Sequence, residues 1–414
     1  MPEDQQKMWA ERVVQATDLV FPDTEFAAWS LCQRYLIQAL FCADLINQWH
    51  VRSKEAGRLL NKLGRYLSKR ANYRDAEMVL KQSLTVREDL LGPDDLETAQ
   101  GLNNLAVLYR QMGRYREAEP LYKRALFIRE QKLGETHPDT SVCLNNLALL
   151  YATQGNFDLA EPLYQRALTI REQALGPEHI RTARSLNNLA TLYQARGKYT
   201  EAEALYLRSL EIREQVSGPN HPDTALCLNN LVFLYTLQNR YEEAEPLAQR
   251  ALAIREQALG EEHPETAQSL NNLAELYRKQ GRSDEAEPLC QRALAIREHV
   301  LGPDHVTTAF CLQTLAGLYC LQGRFAEAES VYQRALTIRE RALKANHPDS
   351  ASTLQGLAEL YQAQGRYAEA VSFYERARSI LQEAFEPNHH ELVALEEKYQ
   401  TLLQVQKDAE NEHP

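Results

Sequence analysis

Hydrophobic and polar positions repeat with a period of 42 residues from about residue 56 to residue 390. In the unit 98–139, Leu102, Leu105, Ala106 and Tyr109 fall at i, i+3, i+4 and i+7, the spacing of one buried stripe on a first helix. Gly113 ends that helix, as glycine does at a left-handed cap. A second helix opens at Tyr115 or Arg116, carries Ala118, Leu121, Tyr122, Ala125 and Ile128 as its stripe, and ends at Gly134. Pro120 is expected in its first turn, where a missing N–H has few partners to lose. The loop 134–140 turns the chain into the next unit, with Asp139 or Thr140 as the expected cap.

The alanine of the second helix recurs at Ala76, Ala118, Ala160, Ala202, Ala244, Ala286, Ala328 and Ala370, which counts eight units over 56–390. Residues 391–414 read as a more polar capping helix, from Glu391 to about Val405, and a polar tail that frays after Gln406. Residues 1–55 lack the period and hold all three tryptophans. They read as a separate helical module with an apolar stripe of Phe26, Trp29, Leu36 and Leu40 around the small Cys32. The sum is an all-α stacked array.

The residues Leu102, Ala106, Tyr109, Gly113, Tyr115, Ala118, Tyr122 and Ala125 match the tetratricopeptide repeat consensus. The longer unit, with its phrases LNNLA.LY and LG..HPDT, resembles the kinesin light chain type. It is also similar to the C-terminal, sensing region of bacterial STAND-type signalling proteins. The resemblance implies a right-handed superhelical solenoid whose first helices line a concave groove for peptides or protein partners.

On the side of the first helix that this resemblance assigns to the groove, an asparagine pair recurs in register: Asn103-Asn104, Asn145-Asn146, Asn187-Asn188, Asn229-Asn230 and Asn271-Asn272. Mid-helix asparagine is worse than alanine by roughly 0.5 kcal/mol per site, so these amides are expected to make compensating hydrogen bonds. One amide of each pair is expected to hold the neighbouring unit, and the other to offer a donor and an acceptor to an extended guest chain. Neighbouring columns vary. They place apolar Val142, Leu149, Leu226, Phe233, Leu237, Phe310 and Leu321 on that side, flanked by Arg110, Arg184, Arg278 and Lys279. These imply a partner segment with bulky apolar anchors and nearby carboxylates.

Other columns read as structural. His137, His179, His221, His263, His305 and His347 stand one unit apart, roughly 10 Å by helix packing, too far to share a zinc ion. They are expected to be turn and capping residues. The column Arg129, Arg171, Arg213, Arg255, Arg297 and Arg339, each followed by glutamate, is expected to be a solvated, salt-bridged ladder. Cys143, Cys227 and Cys311 are expected to be small packing residues.

Composition narrows the function. A net charge of −11 argues against nucleic acid. Seven scattered cysteines without a CxxC fit a reducing, cytoplasmic setting, and the polar start reads as no signal peptide. No apolar run reaches the ~18 residues of a membrane span. No GxxxxGK[ST], GxSxG or HExxH motif is present, so no catalytic residue, metal or cofactor is expected. Two readings stand: a non-catalytic scaffold that binds a peptide or protein, or a ligand-sensing array whose ATPase or effector is on another chain. Oligomeric state is not fixed by the sequence.

Overall fold

Each apolar stripe becomes one helix. The computed structural model describes residues 2–343, 345–387 and 389–412, with the side chains of 408–412 excepted. Among these are nineteen α-helices, one 3-10 turn and no strand. An amino-terminal module comprises α1 (Glu3–Val20), the turn Phe26–Ala28 and α2 (Trp29–Gln48). First and second helices then alternate. They run α3 (Lys54–Lys69), α4 (Tyr73–Leu91), α5 (Leu96–Gln111), α6 (Tyr115–Leu133), α7 (Thr140–Thr153) and α8 (Phe157–Leu175). They continue as α9 (Ile180–Ala195), α10 (Tyr199–Val216), α11 (Pro222–Leu237), α12 (Tyr241–Leu259), α13 (Pro264–Lys279) and α14 (Ser283–Leu301). The last are α15 (Thr308–Leu321), α16 (Phe325–Leu343), α17 (Pro348–Ala363), α18 (Tyr367–Ala384) and α19 (His390–Glu412). Thus α19 runs past Val405 on good helix formers, and the end of the expected tail, His413 and Pro414, lies outside the described residues.

The chain divides into two compact bodies, residues 1–150 and 151–414. In the first, α1 and α2 pack on each other and on α3. Of the expected apolar stripe, the small Cys32 is fully buried, while Phe26 and Trp29 are half-buried. Cys32, Ala39, Cys42, Ala43 and Ile46 are the buried face of α2, while Leu36 and Leu40 are half-buried. Cys42 Sγ reaches Thr17 Oγ1 at 3.2 Å, an approach that larger side chains would block. Buried Asp18 accepts hydrogen bonds from Arg58 and Lys62, and Lys62 also donates to the Phe21 carbonyl at 3.1 Å. Lys69 donates to the Thr24 carbonyl. Phe21 and Trp29 stand edge-on to Tyr66. Arg58, Lys62 and Lys69 precede Gln100, Asn104 and Gln111 by one period. The module therefore covers, on the first repeat, the second asparagine column and the columns of Gln100 and Gln111.

In the second body the first helices of successive repeats touch one another: α9 with α11, α11 with α13, α13 with α15 and α15 with α17. The second helices reach one another through long ion pairs, Arg208–Glu172, Arg250–Glu214, Arg292–Glu256 and Arg334–Glu298, at 2.6–2.8 Å. First helices are thus the closely spaced row.

The arginine column overturns the expected solvated ladder. Arg171, Arg213, Arg255, Arg297 and Arg339 are buried, and each Nη1 donates to a backbone carbonyl ten residues on: Arg181, Asp223, Glu265, Thr307 and Asp349. Ser185 and Ser269 hydroxyls accept from Arg171 and Arg255 as well. The long stem passes between a second helix and the next first helix. There the guanidinium finds neutral oxygens with spare lone pairs, so the following glutamate is not its partner. Half-buried ladders form in another column. Arg240, Arg282 and Arg324 lie over Tyr235, Tyr277 and Tyr319 at 3.9–4.1 Å and pair with Glu203, Glu245 and Glu287 of the preceding repeat.

The histidines do cap. Nδ1 of His137, His179, His221, His263, His305 and His347 accepts from the backbone N–H two residues on, at 3.0–3.2 Å. In the first body His137 accepts from the Asp139 N–H, and Thr140 Oγ1 donates to the Gly134 carbonyl at 2.9 Å. Pro120 lies at the sixth residue of α6, a turn deeper than expected. It is exposed, as is Arg116 four residues earlier, so the carbonyl left without its N–H faces water. Cys143, Cys227 and Cys311 are fully buried.

One contact within the second body is specific. The loop between α18 and α19 packs on the turn before α8, where a Cβ on Gly155 would overlap the His389 ring. Gly155 and Gly281 share φ of 76°, but nothing approaches Gly281. Gly281→Ala should cost about 1–2 kcal/mol through backbone strain alone. Gly155→Ala should cost about 1–3 kcal/mol more, because the ring must leave. Urea unfolding of the two variants in parallel checks this; equal losses would show that the loop contact contributes nothing.

Candidate functional site

The asparagine pairs do two different jobs. The first members, Asn103, Asn145, Asn187, Asn229 and Asn271, are only 5–9% exposed. The second members, Asn104, Asn146, Asn188, Asn230 and Asn272, are half-buried. At three junctions Nδ2 of the second donates to Oδ1 in the first column of the preceding repeat: Asn104 to Asn61 at 2.7 Å, Asn146 to Asn103 and Asn230 to Asn187 at 2.8 Å; Asn229 Oδ1 receives no such bond. These amides therefore stitch the row of first helices and offset their low helix propensity. Only the second member has an edge at the surface. Asn230 keeps its carbonyl oxygen free of hydrogen bonds among the described residues, whereas Asn272 Oδ1 accepts from Gln268 at 2.8 Å.

The variable columns carry exposed apolar groups. On α11, Leu226, Phe233 and Leu237 are exposed, Phe233 by 56%. Their spacing of seven and four places them on one face. On α15, Phe310 and Leu321 are exposed, eleven residues apart on one face. In the first body, Val142 and Leu149 are half-buried. Among the candidate cations, Arg184 and Lys279 are exposed and Arg110 is half-buried. Arg278 is spoken for: its Nε and Nη2 grip Glu275 at 2.7 and 2.6 Å.

A cavity of about 420 Å³ opens beside these residues, between α13, α15 and α17. Gly317 and Gly356 make it. In the repeat of α9 and α10, Tyr206 Oη bonds Thr191 Oγ1 at 2.9 Å and Gln194 Oε1 at 3.3 Å. Three periods on, Tyr332 meets Gly317 and Cys320 instead. Its hydroxyl makes no hydrogen bond among the described residues and lines the cavity, although the residue is 6% exposed. Gly356 stands in the second asparagine column and leaves room for the Tyr332 ring, which a Cβ there would meet at 2.6 Å. Thr314 stands in that same column one repeat earlier, and Asn271 Oδ1, like Asn229 Oδ1, is buried without a donor among the described residues. Register alone puts Glu275 and Glu359 in the variable column of Val107 without giving them a role, and it does not single out Tyr332. The signal was present as two glycines interrupting columns of larger residues.

Burial holds the thiols protonated, pushing Cys143 up to about 11 and Cys290 up to about 12. Among the described residues no three histidine, cysteine or acidic side chains converge as metal ligands, and no helix is long and apolar enough to cross a membrane.

Overlapping matches to the tetratricopeptide repeat family run from residue 55 to residue 395. The crystal structure of BtubC (BKLC) from P. vanneervenii is 30% identical, covering 56% of this chain and 92% of that one, with a TM-score of 0.47. A putative kinesin light chain from Podosopora anserina with nearly identical TPR-like repeats is 29% identical, covering 50% and 98%, with a TM-score of 0.41. The Rap protein solved with Competence and Sporulation Factor is 15% identical, covering 86% and 99%, with a TM-score of 0.50, and shares the fold. No curated protein matches. The helix pairs of fixed period and the match across most of the chain together place the protein in the tetratricopeptide repeat family.

Proposed function

We propose that the chain is a non-catalytic protein-binding scaffold that holds an extended partner segment along the row of first helices. The observation that carries this reading is the exposed face of α11, where Leu226, Phe233 and Leu237 present apolar surface beside the free Asn230 oxygen. Fold stability gives no reason to expose a phenylalanine and two leucines together. The partner fits if it brings one or two bulky apolar anchors, with Asn230 accepting from its backbone and Arg184 or Lys279 facing its carboxylates. The packing of α1 and α2 onto α3 supports a free-standing scaffold with a capped end over a connector to a signalling ATPase.

The test uses a peptide selected from a random display library against the wild-type chain. Each buried anchor supplies about 1.5–3 kcal/mol, so Phe233→Asp with Leu237→Asp should weaken that peptide at least about a hundredfold by calorimetry. Both side chains are exposed, so the circular dichroism melt should not move. Unchanged affinity would overturn the α11 site.

A further inference from the structure

We propose that the cavity between α13, α15 and α17 is a receptor for one basic side chain, arginine or lysine, of a bound partner. This deepens the scaffold reading above by assigning chemistry to a second anchor point on the same row of helices.

Four observations carry it. The cavity holds about 420 Å³, within the range of small-ligand sites and ample for one long side chain. Its floor contains Tyr332 Oη, unpartnered and nine-tenths buried, in a position where the equivalent Tyr206 hydroxyl has two partners. A guest that donates hydrogen bonds would complete it.

The third observation is charge. Arg278 and Glu275 lock each other in a bidentate pair, so neither seeks a guest ion. Glu359 remains. Gln355 and Lys398 both donate to its Oε1, at 2.9 and 2.6 Å, and no hydrogen bond reaches Oε2 among the described residues. Both partners of the Lys398–Glu359 pair are about half exposed, so that pair is weak and replaceable. The acceptors left for a guest are thus a carboxylate oxygen and a phenol oxygen, while Arg278, whose Nη1 makes no hydrogen bond among the described residues, has its charge already balanced by Glu275. An anionic guest would meet Glu359 with no uncommitted cation to offset it.

The fourth is shape. Leu321, Cys320 and Leu360 also line the cavity, and they suit the methylene stem behind a cationic head. Arginine and lysine share this chemistry, and the guanidinium is favoured because its fork can donate to Glu359 and Tyr332 at once.

The test needs no peptide. The methyl groups of Leu321 and Leu360 are followed by NMR on the full chain during titration with n-butylguanidinium, n-butylammonium or neutral n-butylurea. At least one cation should move both methyls with an apparent affinity about tenfold or more above that of the urea. Glu359→Gln should remove that preference while the fold is kept, since the side chain is at the surface. Gly317→Leu should abolish the shift by filling the cavity. Leucine occupies the same column at Leu149, and a Cβ at Gly317 makes only ordinary contacts. Equal shifts by urea and cations, no shift with either cation, or binding that survives Gly317→Leu would each overturn the proposal. Failure here leaves the α11 result standing, because that experiment reads a different helix with a different ligand.

Discussion

Replacing Arg339 with methionine should lower the stability of the repeats around α16 and α17 by roughly 3 kcal/mol. Methionine keeps much of the stem and its packing, so the loss isolates the guanidinium. That group is 1% exposed and donates to the Asp349 carbonyl at 2.6 Å, Gln313 Oε1 at 2.7 Å, Ser352 Oγ at 3.0 Å and Thr353 Oγ1. Two effects compete. Burial penalises the cation and lowers its pKa, with Asp349 opposing, so its removal recovers desolvation energy. Against this, the two N–H groups of Nη1, shared among these four oxygens, give up charge-assisted bonds worth about 1.5–3 kcal/mol each before that recovery. The bonds win because removing Nη1 leaves buried oxygens without a donor. Lysine should not rescue, since its stem is one bond too short to reach the place of Nη1 and its ammonium is more strongly hydrated. Arg129→Met is the control: this arginine is half-buried, so its loss should be smaller. Urea unfolding gives the total, and amide exchange in α16 and α17 localises it, because an array need not unfold in one step. A change below about 1 kcal/mol would show that the clamp is replaceable by apolar packing.

Acidification should destabilise the second body through His389. The ring is 3% exposed, stacked on Phe385 at 3.8 Å, and hydrogen-bonded to the Thr153 backbone. Burial lowers its pKa to about 4, His390 pushes the same way, and the Thr153 bond opposes. Between pH 4 and the ordinary value near 6.5 the unfolded chain takes up a proton that the folded chain refuses. Stability from this group is therefore complete above about pH 7 and is lost as pH falls toward 4, by about 3 kcal/mol in total. Burial lowers His263 and His390 as well, and they add in the same direction. Unfolding free energies at pH 7.5 and pH 4.5 for wild type and His389→Phe should differ in slope, with the variant flatter. Parallel slopes would mean that the ring titrates freely.

The fold was legible because the helix stripes, Gly113, Gly134 and the alanine column are local signals repeated without a slip. Histidine capping was legible because the loop position leaves few other jobs. The buried arginines were not, since Arg-Glu at the end of an amphipathic helix reads the same whether the stem lies on the surface or dives between helices. The asparagine pairs were half legible. Their cost in a helix demanded partners, but only coordinates show Asn230 reaching Asn187 one repeat back. Phe233 and Phe310 could be assigned to the variable face from register alone. The cavity under Tyr332 needed three elements at once, and no single window of sequence contains them.

The arginine clamp spans ten residues from the end of one helix pair to the start of the next, and the amide stitch spans 43. Excising or duplicating any internal stretch of one full period would therefore join ends that already match, with each clamp and stitch re-formed on an equivalent neighbour. Copy number in such a chain is free to drift by recombination, whereas a register error of one residue would break every link across the junction.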